Sequence, residues 1–210
     1  QENGRYVQWG VLVQNWAEWW RTFLLQNQSD IFDDPFSPKR CLLDSPEAIE
    51  TFTFLQDLIY SDHASPTPAQ ASQMGGDFLT GKLAMQIHGS WMVEQYRQIQ
   101  DFEWDIAPLP MHKQYGNIVT VCGIAMREDS RHKDEAWRFM RYFFSEEVQR
   151  LMSSESAIWQ PTLRRLAQSP YVHEVPGVPE HHYLRFTELE RADPGDVMRH
   201  PNATQLMNIL

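Results

Sequence analysis

The chain has 210 residues, 42% of them hydrophobic and 22% charged, an ordinary globular composition with length enough for a sizeable core. Its net charge is −10 and no Lys/Arg run exceeds two residues, which argues against nucleic-acid binding, because phosphate backbones repel such a surface. No apolar run reaches the roughly 18 residues a membrane-spanning helix requires, so no transmembrane segment is expected.

Gln1 to Gly4 reads as a turn, and no signal peptide precedes it, so a targeting segment is expected to lie outside this chain. Tyr6-Val-Gln-Trp9 alternates like a strand. Trp16 to Gln28 is predicted helical, because Trp16, Trp19, Trp20, Phe23 and Leu24 fall at helical spacing. Asp33-Asp34-Pro35 to Pro38-Lys-Arg40 is a polar loop. A helix start follows: Asp44 or Ser45 caps it, Pro46 suits the first turn and Glu47 favours the positive end. Ala48, Ile49, Phe52, Leu55, Leu58 and Ile59 continue as an apolar stripe to Tyr60.

Ser65-Pro-Thr-Pro68 breaks the chain, and Pro68 to Leu79 predicts a further helix ending near Gly81. Leu83 to His88 predicts a strand stopped by Gly89, then Trp91 to Gln100 a helix. Phe102 to Ala107 alternates as a strand before Pro108-Leu-Pro110. Ile118 to Met126, rich in β-branched residues, is the most strand-like run. Ser130 is expected to cap a helix with Ala136, Trp137, Met140, Phe143 and Phe144 inward, and Ser145 to start another through Met152. Pro161 to Ala167 predicts a short helix, Ser169 to Pro179 a proline-rich loop, and Tyr183 to Arg191 and Asn202 to Leu210 weaker helices. No repeat or low-complexity tract appears. Helices dominate over a few short strands, an α/β or α+β pattern.

Cys41 and Cys122 have no metal-like spacing; a disulfide or two buried free thiols fit them, the thiols better. His173, His181 and His182, with Glu174, Glu180 and Glu188, are sound zinc ligand types. Their spacing matches no template, so no metal and no cofactor is expected. No nucleophile elbow, phosphate loop or zinc-protease motif is present. A glycosidase needs two facing carboxylates, and no acidic residue sits in a recognisable catalytic motif, so an enzyme is not expected.

The most informative stretch is Phe78-Leu-Thr-Gly81-Lys82-Leu-Ala-Met85-Gln-Ile-His-Gly89-Ser90-Trp91, followed by Trp104-Asp105-Ile-Ala-Pro108-Leu-Pro110. Around it, in order, stand Trp19-Trp20 … Ile31-Phe32-Asp33, Leu43 to Ala48 with Phe54 to Leu58, Val119 to Ala125, Ser130 to Phe139, Ser145 to Gln149, and Gln160-Pro161-Thr-Leu-Arg164. This succession resembles the extracellular solute-binding proteins of ABC transporters, in the large maltose-binding-like family. The resemblance implies a type II periplasmic-binding-protein-like fold: two α/β lobes joined by a hinge, with ligand bound between them. It implies that residues 1–107 begin the C-terminal lobe, that 108–144 cross the hinge into the N-terminal lobe, and that 145–210 close the C-terminal lobe. Family members are about twice as long, as two lobes with separate cores require. Most of the N-terminal lobe is therefore expected to be absent, and weak or no ligand binding is expected of this chain alone.

The resemblance further implies capture of an extracytoplasmic carbohydrate, periplasmic or at a lipid-anchored cell surface, and its delivery to a membrane permease. The aromatic at the position of Trp91 stacks on sugar in relatives, and an aromatic face packs well on pyranose C–H groups. Trp19 or Trp20, together with Trp16, stands at the front of the cleft helix, with Asn15 and Glu18 as polar candidates for sugar hydroxyls. Cys122 and Gly123 match a turn near the cleft, and Trp159 and Gln160 precede a loop that edges it. The alternatives are a protein-interaction domain without a small ligand and, after it, a carbohydrate-active enzyme. The uncovered sheet edge at 118–126 and helix face at 131–144 also predict dimerisation or exchange of elements.

Overall fold

The computed structural model describes residues 8–34, 37–120, 122–154, 159–170 and 175–193. The chain divides into two compact units. One comprises Gln1–His88, Pro108–Thr120 and Arg191–Leu210, the other Gly89–Ala107 and Val121–Glu190.

The first unit is built on α1 (Ala17–Gln26) and α2 (Pro46–Tyr60), followed by α3 (Pro68–Gln73). Helical spacing turns Ala17, Trp20 and Leu24 to one side of α1, where they meet Ala48 and Leu55 of α2. Trp19, Phe23 and Ile31 complete the buried cluster. The Trp20 and Phe52 rings meet edge to face at 5.5 Å, a geometry aromatic quadrupoles favour. Ser45, not Asp44, caps α2: its Oγ accepts a hydrogen bond from the Ala48 amide at 3.2 Å, and Pro46 opens the helix. Ile49 is exposed and leaves the expected stripe; Thr51 takes the buried place, donating to the Glu47 carbonyl at 2.9 Å.

Arg21 is 2% exposed. It makes a forked pair with Asp30, both nitrogen–oxygen distances 2.7 Å. A charge so deeply buried is tolerable only with its partner in place. Asn27 ties the end of α1 to α2, donating to the Glu47 carbonyl at 2.7 Å and to Thr51 Oγ1 at 3.2 Å. The 113–116 segment lies on the same helix end, where the Gln26 side chain donates to the Gly116 carbonyl at 3.1 Å. A Cβ on Gly116 would stand 2.6 Å from the Gln26 amide nitrogen, so only glycine permits this approach.

The expected strands do not form among the described residues, where the sheet-like pairing is limited to isolated bridges: Trp9 with Leu83, Phe32 with Cys41, and Ile118 with Asp193. A strand needs a neighbouring backbone along several residues, and these segments meet theirs only briefly. Trp9 donates to Lys82 and accepts from Ala84. Val119 donates to Asp193, and Asp193 to Asn117. Residues 6 and 7 of the first expected strand, and Val121 of the last, lie outside the described residues.

The second unit holds α4 (Val93–Tyr96), α5 (Lys133–Phe143), α6 (Glu146–Ser154), α7 (Arg164–Ala167) and α8 (Leu184–Thr187). A 3₁₀ turn at Ser90–Met92 leads into α4, so the helix expected over 91–100 shrinks to two short pieces. Phe102, Trp104 and Ile106 keep their inward alternation without a strand partner, and Trp104 and Ile106 pack on Val93 and Val175. Leu166 and Phe186 form a smaller cluster with Leu163. Ser130 does not cap α5, which starts at Lys133 after His132; its Oγ accepts from the His132 amide instead. Of the α5 residues expected inward, Ala136, Met140 and Phe143 are half-buried on one stripe. Trp137 and the following Phe144 are exposed, because they lie on the adjacent stripe, left uncovered among the described residues. The helix expected over 202–210 lies outside the described residues, as does His173.

Candidate functional site

In the first unit, the approach to α1 and the 86–88 segment come together. Trp16 ends the extended segment and stands at the N-terminus of α1. Its indole nitrogen donates to Gln14 Oε1 at 2.8 Å, and Gln14 Nε2 donates to the Ile87 carbonyl at 3.0 Å. The same carbonyl accepts from the Trp19 indole at 3.1 Å. The Trp16 and His88 rings lie 5.7 Å apart, tilted. Burial holds His88 below the usual imidazole range, with Asp77 opposing, so His88 stays neutral at neutral pH.

Asn15 is exposed and Glu18 half-buried beside Trp16. Trp19 and Trp20 are 3% and 6% exposed and belong to the core. Their rings carry the α1–α2 packing, and the ring at the head of α1 that keeps accessible surface is Trp16. Neither Gln14 nor His88 was singled out from the sequence. No local sequence pattern marks them: it is the bridge of Trp9 with Leu83 that brings the 86–88 segment alongside 11–16.

In the second unit, Trp91 is 40% exposed on the Ser90–Met92 turn. Gly89 precedes the turn, and the Met92 amide donates back to its carbonyl at 3.1 Å. Gln160 is partly buried: its Nε2 donates to Ser90 Oγ at 3.3 Å and to the Arg185 carbonyl at 2.8 Å. It therefore braces the turn that carries Trp91. Trp159 is 39% exposed with its ring edge to face on Phe143 at 5.4 Å. Cys122 and Gly123 are exposed, and a Cβ on Gly123 would meet nothing within 4 Å. Both cysteines are free and exposed, which corrects the expectation of buried thiols.

Arg185 is 6% exposed, and burial lowers its guanidinium to about 10. His181 and Asp105 pair on the surface through Nδ1 and a carboxylate oxygen, and the His181 amide also donates to Asp105 at 3.1 Å. Among the described residues no group of three or more His, Cys, Asp or Glu is placed to hold a metal ion. No helix there is long and apolar enough to cross a membrane.

The fold matches solved structures. The ABC substrate-binding protein of Listeria monocytogenes in complex with cycloalternan superposes with a TM-score of 0.78 at 20% identity, covering 96% of this chain and 51% of that one. A solute-binding protein of Thermotoga lettingae bound with alpha-D-tagatose gives 0.77 at 17% identity, covering 95% and 52%. The maltose/maltodextrin-binding domain of Bdellovibrio bacteriovorus bound to maltotriose gives 0.75 at 22% identity, covering 99% and 54%. The chain thus spans about half the length of these structures. They share a type II periplasmic-binding-protein-like fold, helix-rich in the portion matched here. No curated protein matches the chain in sequence. The sequence profile of the bacterial extracellular solute-binding proteins, however, matches residues 1–150, and the chain belongs to that family of binding proteins, not to an enzyme family.

Proposed function

We propose that this chain is part of the substrate-binding component of an ABC importer that captures a carbohydrate outside the cytoplasm and delivers it to a membrane permease. The observation that carries this reading is Trp91. A large aromatic ring is held 40% exposed on a braced turn, within the segment matched to the solute-binding family. An exposed indole face suits the C–H face of a pyranose. The bound cycloalternan, alpha-D-tagatose and maltotriose of the structural relatives support the ligand class.

Within the first unit, Trp16 is the proposed aromatic contact, in place of Trp19 and Trp20, whose rings the core occupies. Asn15 and Glu18 supply polar partners for hydroxyls. Within the second unit, Trp159, Cys122 and Gly123 remain proposed contacts, and Gln160 acts through the Trp91 turn. The lobe assignment of 1–107, 108–144 and 145–210 is likewise proposed for the whole protein. There, lobe closure on ligand would shift the equilibrium to a closed form for the permease.

Calorimetric titration of the whole protein, both lobes included, with a panel of mono-, di- and oligosaccharides tests the reading. Saturable binding of one class, weakened by Trp91→Ala, supports it. Silence across the panel from folded protein moves the weight to an interaction role without a small ligand. That second reading is favoured by one observation: Trp137, Phe139, Tyr142, Phe144 and Leu151 of the α5–α6 region are all exposed, large apolar side chains of the kind a protein partner, a second copy included, would cover.

A further inference from the structure

We infer that Gly89 is a positioning residue whose missing side chain forms the seat of the Trp91 indole, an inference that rests on the proposed role of Trp91 in ligand contact. A Cβ built on Gly89 would stand 2.1 Å from Cη2 and Cζ3 of Trp91 and 2.4 Å from its Cε3. The six-membered ring of the indole therefore occupies the space a side chain at 89 would fill. Backbone geometry does not demand glycine there: φ is −69° and ψ 150°, open to any residue. What demands glycine is the ring.

The obstacle is also of a special kind. At Gly76 the nearest atoms belong to a threonine side chain, and at Gly116 chiefly to backbone. At Gly89 they are all atoms of one rigid ring. Any side chain at 89 must therefore move the indole or distort the turn. The turn resists distortion. The Met92 amide is bonded to the Gly89 carbonyl at 3.1 Å, and Ser90 Oγ is held by Gln160 Nε2 at 3.3 Å. The cheaper response is rotation of the indole away from its seat.

Simple core packing would bury the ring, yet it is 40% exposed. A ring fixed on one side and accessible on another is preorganised for a contact, because its rotamer freedom is already lost before ligand arrives. Gly89 thus fixes the orientation in which Trp91 is presented, and the Gln160–Ser90 bond holds the frame.

The test compares Gly89→Ala, Trp91→Ala and the double variant, with the indole resonances and melting read in this chain and maltotriose binding read in the whole protein, both lobes included. With tryptophan indoles labelled by ¹⁵N, Gly89→Ala is expected to move the Trp91 indole resonance and leave those of Trp19 and Trp20 in place. Maltotriose binding is expected to weaken about tenfold or more, as for displaced aromatic anchors, with the double variant no weaker than Trp91→Ala. The melting temperature is expected to fall in Gly89→Ala and to return in the double variant to that of Trp91→Ala, since removal of the ring removes the clash. An unmoved Trp91 resonance in Gly89→Ala overturns the seat. So does a double variant that stays destabilised, because the clash would then be with something other than the ring. A moved indole with unchanged maltotriose affinity overturns the positioning role. A moved indole in a protein that binds no maltotriose, even as wild type, leaves the seat standing and counts against the carbohydrate reading alone.

Discussion

Single side chains carry most of what can be tested here. Trp91→Ala should weaken carbohydrate binding by about 1–3 kcal/mol, the usual cost of removing an aromatic anchor. Removal of Trp20, by contrast, should unfold rather than unbind, because its ring fills the core of the first unit. Arg21→Ala strands the Asp30 carboxylate beside a core that no longer supplies a cation. An unfolding free energy lower by about 3–5 kcal/mol is expected in urea, the range for a broken buried pair. The His181–Asp105 pair makes a pH prediction. The Asp105 hydrogen bond and charge raise His181 above the usual imidazole range. For Asp105, slight burial opposes ionisation, but hydrogen bonds from His181 and the Ile106 amide outweigh it and lower the carboxyl. A raised histidine contributes stability below its unfolded value that is lost as pH rises through its folded one. A lowered aspartate contributes above its unfolded value and loses that contribution as pH falls through its folded one. The pair is therefore strongest between the two transitions. In an NMR titration the His181 midpoint should fall back in Asp105→Asn, and an unchanged midpoint would remove the pair from the account.

At the scale of elements, the sequence is most legible where local chemistry decides. The Ser45-Pro46-Glu47 start of α2 is read correctly because cap, proline and acid each act within one turn. Ser45→Ala should lower stability by about 1 kcal/mol, and no change in the urea midpoint would contradict that. The helix expected over 68–79 stops at Gln73, ahead of Gly75 with φ 67°. The strands fail for a different reason. Period-two alternation is correct for 102–107, yet it reports only which side chains face inward, not whether a backbone partner lies alongside. Ser130 fails locally, since its Oγ accepts from the His132 amide and α5 begins only at Lys133, and Trp137 fails because a helix face depends on neighbours distant in sequence. The site was legible to the same degree: Trp91 and its glycine stand in one motif, whereas Trp16 with Gln14 and His88 joins residues some seventy positions apart, as the Gln14–Ile87 bond shows.

At the scale of the molecule, the chain forms two compact units and covers about half of the solute-binding structures it matches. The exposed aromatics Trp137, Phe139, Tyr142 and Phe144 predict association that grows with protein concentration. Light scattering over a wide concentration range checks this, and a constant monomer mass would contradict it. The central claim is that the chain contacts carbohydrate through Trp91. Its most direct test is an NMR titration of the ¹⁵N-indole-labelled whole protein, both lobes included, with maltotriose, cycloalternan and alpha-D-tagatose, a readout that registers weak binding as well as tight. A saturable shift of the Trp91 resonance is expected with at least one of them, and little change at Trp20. Folded protein whose Trp91 resonance stays fixed through every titration would contradict it.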